Sequence, residues 1–220
     1  MTSYTELDTM SSNSQERRPP RSDQPPANAR GRRTRAALLA AARAIVEERG
    51  FEALTMAALA ERAQVSRAAV YLHFASRGEL VGALFEYVSG LEHLDALVQP
   101  VHDAADGVAA LDAFAQLEAT YHARILGVAR AIENIGREDP DAAEWRQRIE
   151  TFQIGLCQLV VRRLADEHRL ATGWTPQSAA DMLWALMATE PLERLLHNRG
   201  WTEEEYAERF ARLLRMTFVD

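Results

Sequence analysis

The stretch 55–73, TMAALAERAQVSRAAVYLH, constrains this chain more than any other. Thr55 is a good N-cap for a short helix to about Arg62, because its hydroxyl can accept from an orphan amide of the first turn. Ser66 offers the same to a further helix through roughly Leu72. Between them lie only Ala63, Gln64 and Val65, too few for anything but a tight turn. Two helices joined this way cross steeply, and small residues are needed where the backbones approach. Ala60 and Ala63 meet that need, while Leu59, Val65 and Val70 supply apolar contacts. This is the arrangement of a helix-turn-helix, whose second helix lies in the major groove of DNA. The plain alternative is an αα-hairpin inside a helical bundle.

Charge favours the first reading. The chain of 220 residues has a net charge of −7, spread unevenly. Residues 1–80 carry 12 Arg against 9 acids, and residues 81–220 carry 13 Arg against 23 acids. Seven Arg and a single acid, Asp23, fall within 17–35. A basic arm on an acidic body is the footprint of a polyanion binder joined to a second module. Every basic residue is Arg, whose planar fork suits phosphate.

The remaining pattern is helical. Residues 1–29 are Ser-, Pro- and Arg-rich with few large apolar residues, and are expected to be disordered. Leu38, Ala42, Ile45 and Val46 make one apolar stripe that ends at Gly50, expected as the C′ residue. Ser76-Arg77-Gly78-Glu79 fits a capping box that opens a long helix to about Val98. Asp106, Asp139-Pro140 and Thr175-Pro176 start further helices, Gly200 ends one, and Thr202 to Glu205 forms another capping box. The last helix shows Tyr206, Phe210, Leu213 and Leu214 on one face. No stretch sustains the period-2 alternation of a strand. The fold class is therefore all-α, about nine helices, with a three-helix DNA-binding domain at 30–76 and a helical bundle at 77–220. No apolar run is long enough to span a bilayer and no signal peptide stands at the N-terminus, so a cytoplasmic location is expected.

The run AALLAAARAIVEERGFEALTMAALAERAQVSRAAVYLHFASRGEL, with its Arg-rich lead, resembles the tetracycline-repressor (TetR) family of transcriptional regulators. Three positions depart from the family's usual text: Gln64 stands where Gly is common, Ala68-Ala69 where Gly-Thr is common, and Arg77-Gly78 where Lys and an acid are common. A left-handed Gln64 costs about 1 kcal/mol. The resemblance, together with the chemistry of the residues, assigns roles. Thr55, Tyr71 and Arg77 are expected on phosphates. Ser66, Arg67, Ala68 and Ala69 sit where base edges are reached, with Arg67 the candidate guanine contact and the alanines suited to thymine methyls. Arg32, Arg33 and Arg35 are expected in the minor groove or on the backbone, and His73 on a phosphate or as a helix cap. Phe74 is expected in the core.

The resemblance further implies a homodimer on a palindromic operator of double-stranded DNA, formed by helices 176–198 and 202–217. Leu183, Trp184, Met187, Leu195, Phe210 and Leu214 are the expected interface, with the protomer's own core as the alternative. It also implies a small-molecule effector within the bundle. Phe114, Leu117, Tyr121, Ile125, Phe152 and Leu156 form apolar stripes around Glu118, His122 and Gln153, a mixture suited to an apolar effector with one polar handle, with ordinary bundle core as the alternative for each residue. Repression relieved by the effector is the implied mechanism, through a shift of population.

An enzyme reading would start from Glu118 and His122, four residues apart on one helix face, but a metal site needs more ligands. The other histidines are scattered, and there is no nucleophile motif or Gly-rich phosphate loop. No catalytic residue, metal or cofactor is expected. Cys157, between Leu156 and Leu159, is expected in the core. A helical protein–protein adaptor is the remaining alternative, separated from a DNA binder by the salt dependence of binding.

Overall fold

The computed structural model describes residues 29–133 and 140–220, and every regular element among them is helical, apart from one isolated bridge between Leu170 and Val219. Helix α1 (Ala29–Arg49) buries Leu38, Leu39, Ala42, Ile45 and Val46, and ends at Gly50 with φ 81°. A 3-10 turn at Phe51–Ala53 leads to Thr55, whose hydroxyl accepts from the Ala58 amide at 3.0 Å and opens α2 (Met56–Arg62). The turn that follows places Gln64 at φ 54°, the left-handed conformation anticipated for it. Ser66 then accepts from the Ala69 amide at 3.1 Å to open α3 (Arg67–Tyr71).

Ser76 caps α4 (Arg77–Leu91) by accepting from the Glu79 amide, while Glu79 reaches back to the amide of Ala75, one residue earlier than a capping box requires. The helix expected to continue to Val98 stops at Leu91. His93 turns left-handed at φ 53°, and α5 (Leu94–Asp103) sets off in its own direction. Helix α6 (Gly107–Leu117) is capped by Asp106 and runs through a π turn, Glu118–His122, into α7 (Ala123–Glu133). Helix α8 (Pro140–Asp166) begins at the expected proline, while the Asp139 cap lies outside the described residues, as does the arm up to residue 28.

Thr175 and Ser178 form a reciprocal capping box at the start of α9 (Pro176–Ala185). The single rod expected over 176–198 is two: α9 ends before Ala188, and α10 (Thr189–Glu193) with the π turn Arg194–Asn198 follows. Gly200 (φ 74°) separates these from α11 (Glu203–Phe218).

The apolar stripes converge on two cores. Leu38, Ile45, Leu54, Leu59, Phe74, Leu80 and Leu84 fill the first, joined by Ile125 and Val128 of α7. Leu111, Phe114, Cys157, Val160, Leu164, Leu183, Phe210 and Leu214 fill the second. Thus α4 and α7 complete the N-terminal core from beyond residue 76. The second core needs a close approach of α6 to α8, since a Cβ on Gly107 would lie 2.7 Å from the Leu164 amide nitrogen.

Candidate nucleic-acid interface and cavity

Helix α3 is anchored from beneath by Val70, which is fully buried along with Leu59 and Phe74. Its other side faces outward: Arg67, Ala68, Tyr71 and Leu72 are exposed, and Ala69 is half-buried. Thr55 and Ser66 stand exposed at the N-termini of α2 and α3, each accepting one helix amide. The hydroxyl hydrogen of each remains for an outside acceptor such as a phosphate oxygen. Arg32 and Arg33 are exposed near the start of α1, where the Arg33 Nε donates to the Ala29 carbonyl at a long 3.4 Å. Leu72, 85% exposed, belongs to the same outward face and was not singled out by its sequence position. It stands four residues beyond the exposed Ala68, a spacing that marks it in retrospect.

Three residues assigned to DNA by the sequence are turned into the fold instead. Arg35 Nη1 donates to the His73 carbonyl at 2.6 Å, with its guanidinium 4.4 Å from the centre of the Phe74 ring. Arg77 donates from Nε to the Leu54 carbonyl at 2.7 Å and from Nη2 to the Phe51 carbonyl at 3.1 Å, over the Phe51 ring. These guanidiniums hold the turns that flank α2 and α3. The His73 Nδ1 is buried without a hydrogen-bond partner among the described residues. Burial, and then the charge of Arg35, push its pKa down, which favours a neutral ring over a phosphate-binding cation.

Beneath this head, α4, the π turn, α7, α8 and the α9–α10 junction border a cavity of about 640 Å³. Leu117, Glu118, Tyr121, His122, Ile125, Phe152, Gln153 and Leu156 line it, as does Trp184. Phe114 does not: it is fully buried in the core behind. The Glu118 Oε2 and His122 Nδ1 are 2.7 Å apart, both side chains nearly closed off from solvent. The extra residue in a π turn alters side-chain register there, as π turns often do at functional sites. The hydroxyls of Tyr121 and Ser89 are 3.4 Å apart, and the Trp184 Nε1 donates to the Gln153 Oε1 at 3.2 Å. Burial raises the Tyr121 pKa against the opposing pull of its Ser89 bond. Cys157 is fully buried with its Sγ 3.6 Å from the Met187 Sδ, and burial, then the charge of Glu118, push its thiol up, as suits a core thiol. Phe85, Ser89, Arg146, Glu150 and Thr189 complete the walls. They come from three separated helices, so no local spacing could have grouped them.

Residues 38–84 match the family model for bacterial regulatory proteins of the tetR family. The fold is that of the TetR family. NalD of Pseudomonas aeruginosa, the secondary repressor of the MexAB-OprM multidrug efflux pump, superposes with a TM-score of 0.67 at 23% identity, over 87% of this chain and 98% of that one. SmeT, solved as a triclosan complex, superposes with a TM-score of 0.66 at 21% identity, over 86% of this chain and 92% of that one. FadR of Bacillus subtilis, solved with stearoyl-CoA, gives 0.67 at 13% identity, over 82% and 97%. No curated protein matches the sequence. At these identities the solved structures speak for the fold.

Within this TetR-family fold the six residues expected at a dimer interface face inward. Leu183, Phe210 and Leu214 lie in the protomer's core, Trp184 and Met187 line the cavity, and Leu195 is half-buried against the same core. Leu213, read onto the buried face of α11, is 50% exposed. An amphipathic stripe shows which residues are buried, and here the partner is the chain itself. The apolar side chains left outside on these helices are Met182 of α9, with Leu213 and Met216 of α11. No helix among the described residues is long and apolar enough to cross a membrane.

Proposed function

We propose that this protein is a sequence-specific, homodimeric transcriptional regulator. It represses from a near-palindromic DNA operator and leaves it when a small, largely apolar effector fills the cavity. The observation that carries the reading is α3, fixed on its inner side by Val70 and presenting Arg67, Ala68 and Tyr71 outward beside the exposed Thr55 and Ser66. Arg67 then reads a guanine edge, Ala68 and Ala69 meet thymine methyls, and Thr55, Tyr71 and the exposed Arg32 and Arg33 hold phosphates or the minor groove. Arg35, His73 and Arg77 position the reading head from within.

One recognition helix covers only a few base pairs, which is why two copies are needed on one site. Met182, Leu213 and Met216 offer the apolar surface on α9 and α11 for that pairing. The cavity supports the effector, as do the triclosan and stearoyl-CoA held by the structural relatives. An effector that binds better to one spacing of the two recognition helices shifts the population toward it, and operator affinity changes by the same coupling.

A genome-fragment selection with the purified protein at two salt concentrations tests this. Enrichment of one palindromic site, with affinity falling steeply as salt rises, is expected. Enrichment of nothing at either salt, with protein shown to be free of bound small molecules by mass spectrometry, overturns the reading.

A further inference from the structure

The outward face of α3 carries one side chain that the operator contacts proposed above do not use. Resting on the reading of α3 as a recognition helix, we propose that Leu72 is a specificity-determining residue, seated against the 5-methyl group of a thymine in the major groove. Of the large apolar side chains exposed among the described residues, Leu72 stands furthest into solvent, at 85%. The register of α3 holds as far as this residue. Its amide donates to the Ala68 carbonyl at 3.1 Å, and its backbone stays helical at φ −70° and ψ −20°. Residues four apart on a helix share a face, so Leu72 stands one turn beyond the exposed Ala68 on a single apolar strip.

The fold fixes this position firmly. Val70 and Phe74, two residues to either side, are fully buried. The amides of His73 and Phe74 both donate to the Val70 carbonyl, at 2.9 and 3.0 Å, and Arg35 holds the His73 carbonyl at 2.6 Å. The backbone under Leu72 is therefore set before any contact is made, which spares part of the ordering cost of binding. Duplex DNA offers phosphates, sugars and base edges. Leucine has no donor for a phosphate oxygen, and Tyr71 beside it, 54% exposed, already supplies a hydroxyl. In the major groove the apolar group is the thymine methyl, which apolar side chains meet. Four helical residues advance about 6 Å, close to two base-pair steps of about 3.4 Å each. The thymine of Leu72 accordingly lies two steps from the base that Ala68 meets.

The test takes the operator enriched by the full chain and replaces the thymines of its half-sites with deoxyuridine, one symmetric pair at a time. Uracil differs from thymine only in lacking the methyl group, so a sugar or phosphate contact is blind to the change. Affinity is measured by fluorescence anisotropy at one salt concentration for the native chain, Leu72→Ala and Leu72→Gln. With its side chain in solvent, both variants should keep the native unfolding midpoint. For the native chain, one replacement is expected to weaken binding about fourfold in each half-site, the loss of one buried methyl. In both variants the same replacement should leave affinity unchanged, while uracil at the other thymines acts alike on all three proteins. If no replacement weakens the native chain, the proposal is overturned, and this comparison needs no variant to fold. If every replacement acts alike on the native chain and on a folded variant, it is overturned equally, and the DNA-binding reading stands. A native chain that enriches no operator removes both.

Discussion

Replacing Arg77 with alanine separates a strut from a phosphate contact. The side chain makes two charge-assisted hydrogen bonds, to the Leu54 carbonyl at 2.7 Å and the Phe51 carbonyl at 3.1 Å, and lies 5.3 Å from the Phe51 ring centre. Bonds to a charged donor contribute roughly 1.5–3 kcal/mol each when removal strands the partner. The cation–ring contact adds about 0.5 kcal/mol. Arg77 itself is half-buried, so water can enter the place it leaves and offset part of this, and Arg77→Ala should destabilise the fold by about 2–3 kcal/mol. At a urea slope of about 2–3 kcal/mol/M, typical of a chain this size, the unfolding midpoint by circular dichroism falls by about 1 M. Protein concentration must be held fixed, because association shifts apparent stability. In parallel, the dependence of log operator affinity on log salt should keep its slope. Loss of a phosphate contact would instead flatten the slope by about 0.9 per contact. A variant within about 0.5 kcal/mol of the native stability, with a flattened slope, would refute the strut and restore Arg77 to the phosphate backbone.

Four further outcomes follow from named residues. Arg67→Ala should relax base preference at one position of each half-site by about 1–3 kcal/mol while leaving the unfolding midpoint unchanged; selection data with undiminished preference there would exclude a base contact. Gly107→Ala forces a Cβ against the Leu164 amide nitrogen, 2.7 Å away, and should cost about 2 kcal/mol or more in chemical unfolding. Gln64→Gly, at φ 54°, should relieve left-handed strain and stabilise by about 0.5 kcal/mol, the gain being cut by glycine's looser unfolded chain; a loss of stability would show that the Gln64 side chain matters more than its backbone. Because His73 has a lowered pKa in the fold, its contribution is fully present above its unfolded value of about 6.5 and is lost as pH falls through the lower folded value. Stability measured across that window should decline less steeply in His73→Phe than in the native chain.

The caps were legible because each is a bargain between residues three apart. Thr55, Ser66, Asp106, Thr175 and Thr202 all accept the amide their position implied. The break after Leu91 was not legible, since the left-handed residue is His93 rather than a glycine, and the apolar rhythm continues through it into Leu94 and Val98. The mixture of Glu118, Tyr121 and His122 within an apolar stripe fitted both the effector space implied by the family resemblance and an ordinary bundle core, and the residues alone did not separate the two. Direction was the harder quantity. Nothing in the run of arginines from Arg32 to Arg77 distinguishes Arg32, which faces solvent, from Arg35, which folds over Phe74. That choice is made by tertiary neighbours: the His73 carbonyl and the Phe74 ring must first be in place.

Helix α4 ties the cavity to the head. Leu80, Val81 and Leu84 are buried in the N-terminal core, and the next turn presents Phe85, Val88 and Ser89 to the cavity. The helix is held at both ends. The Arg77 guanidinium fixes its start to the Phe51 and Leu54 carbonyls, and Arg43 of α1 donates to Glu92 just past its end at 3.1 Å, and to the Arg124 carbonyl at 3.2 Å. Midway, Gly82 lies against the Trp145 indole, with no room for a Cβ. Interiors packed to this density deform little, so they pass displacement on. On the reading proposed above, a body that presses on Phe85 and Ser89 is expected to move α4 as a unit, and with it the elements bonded to Arg77. Those elements carry Thr55 and α3. Couplings of this kind need only about 1–3 kcal/mol of differential contact to change affinity severalfold. On the function proposed above, the effector need reach no DNA-binding residue, because α4 belongs to both its cavity and the core on which α3 rests.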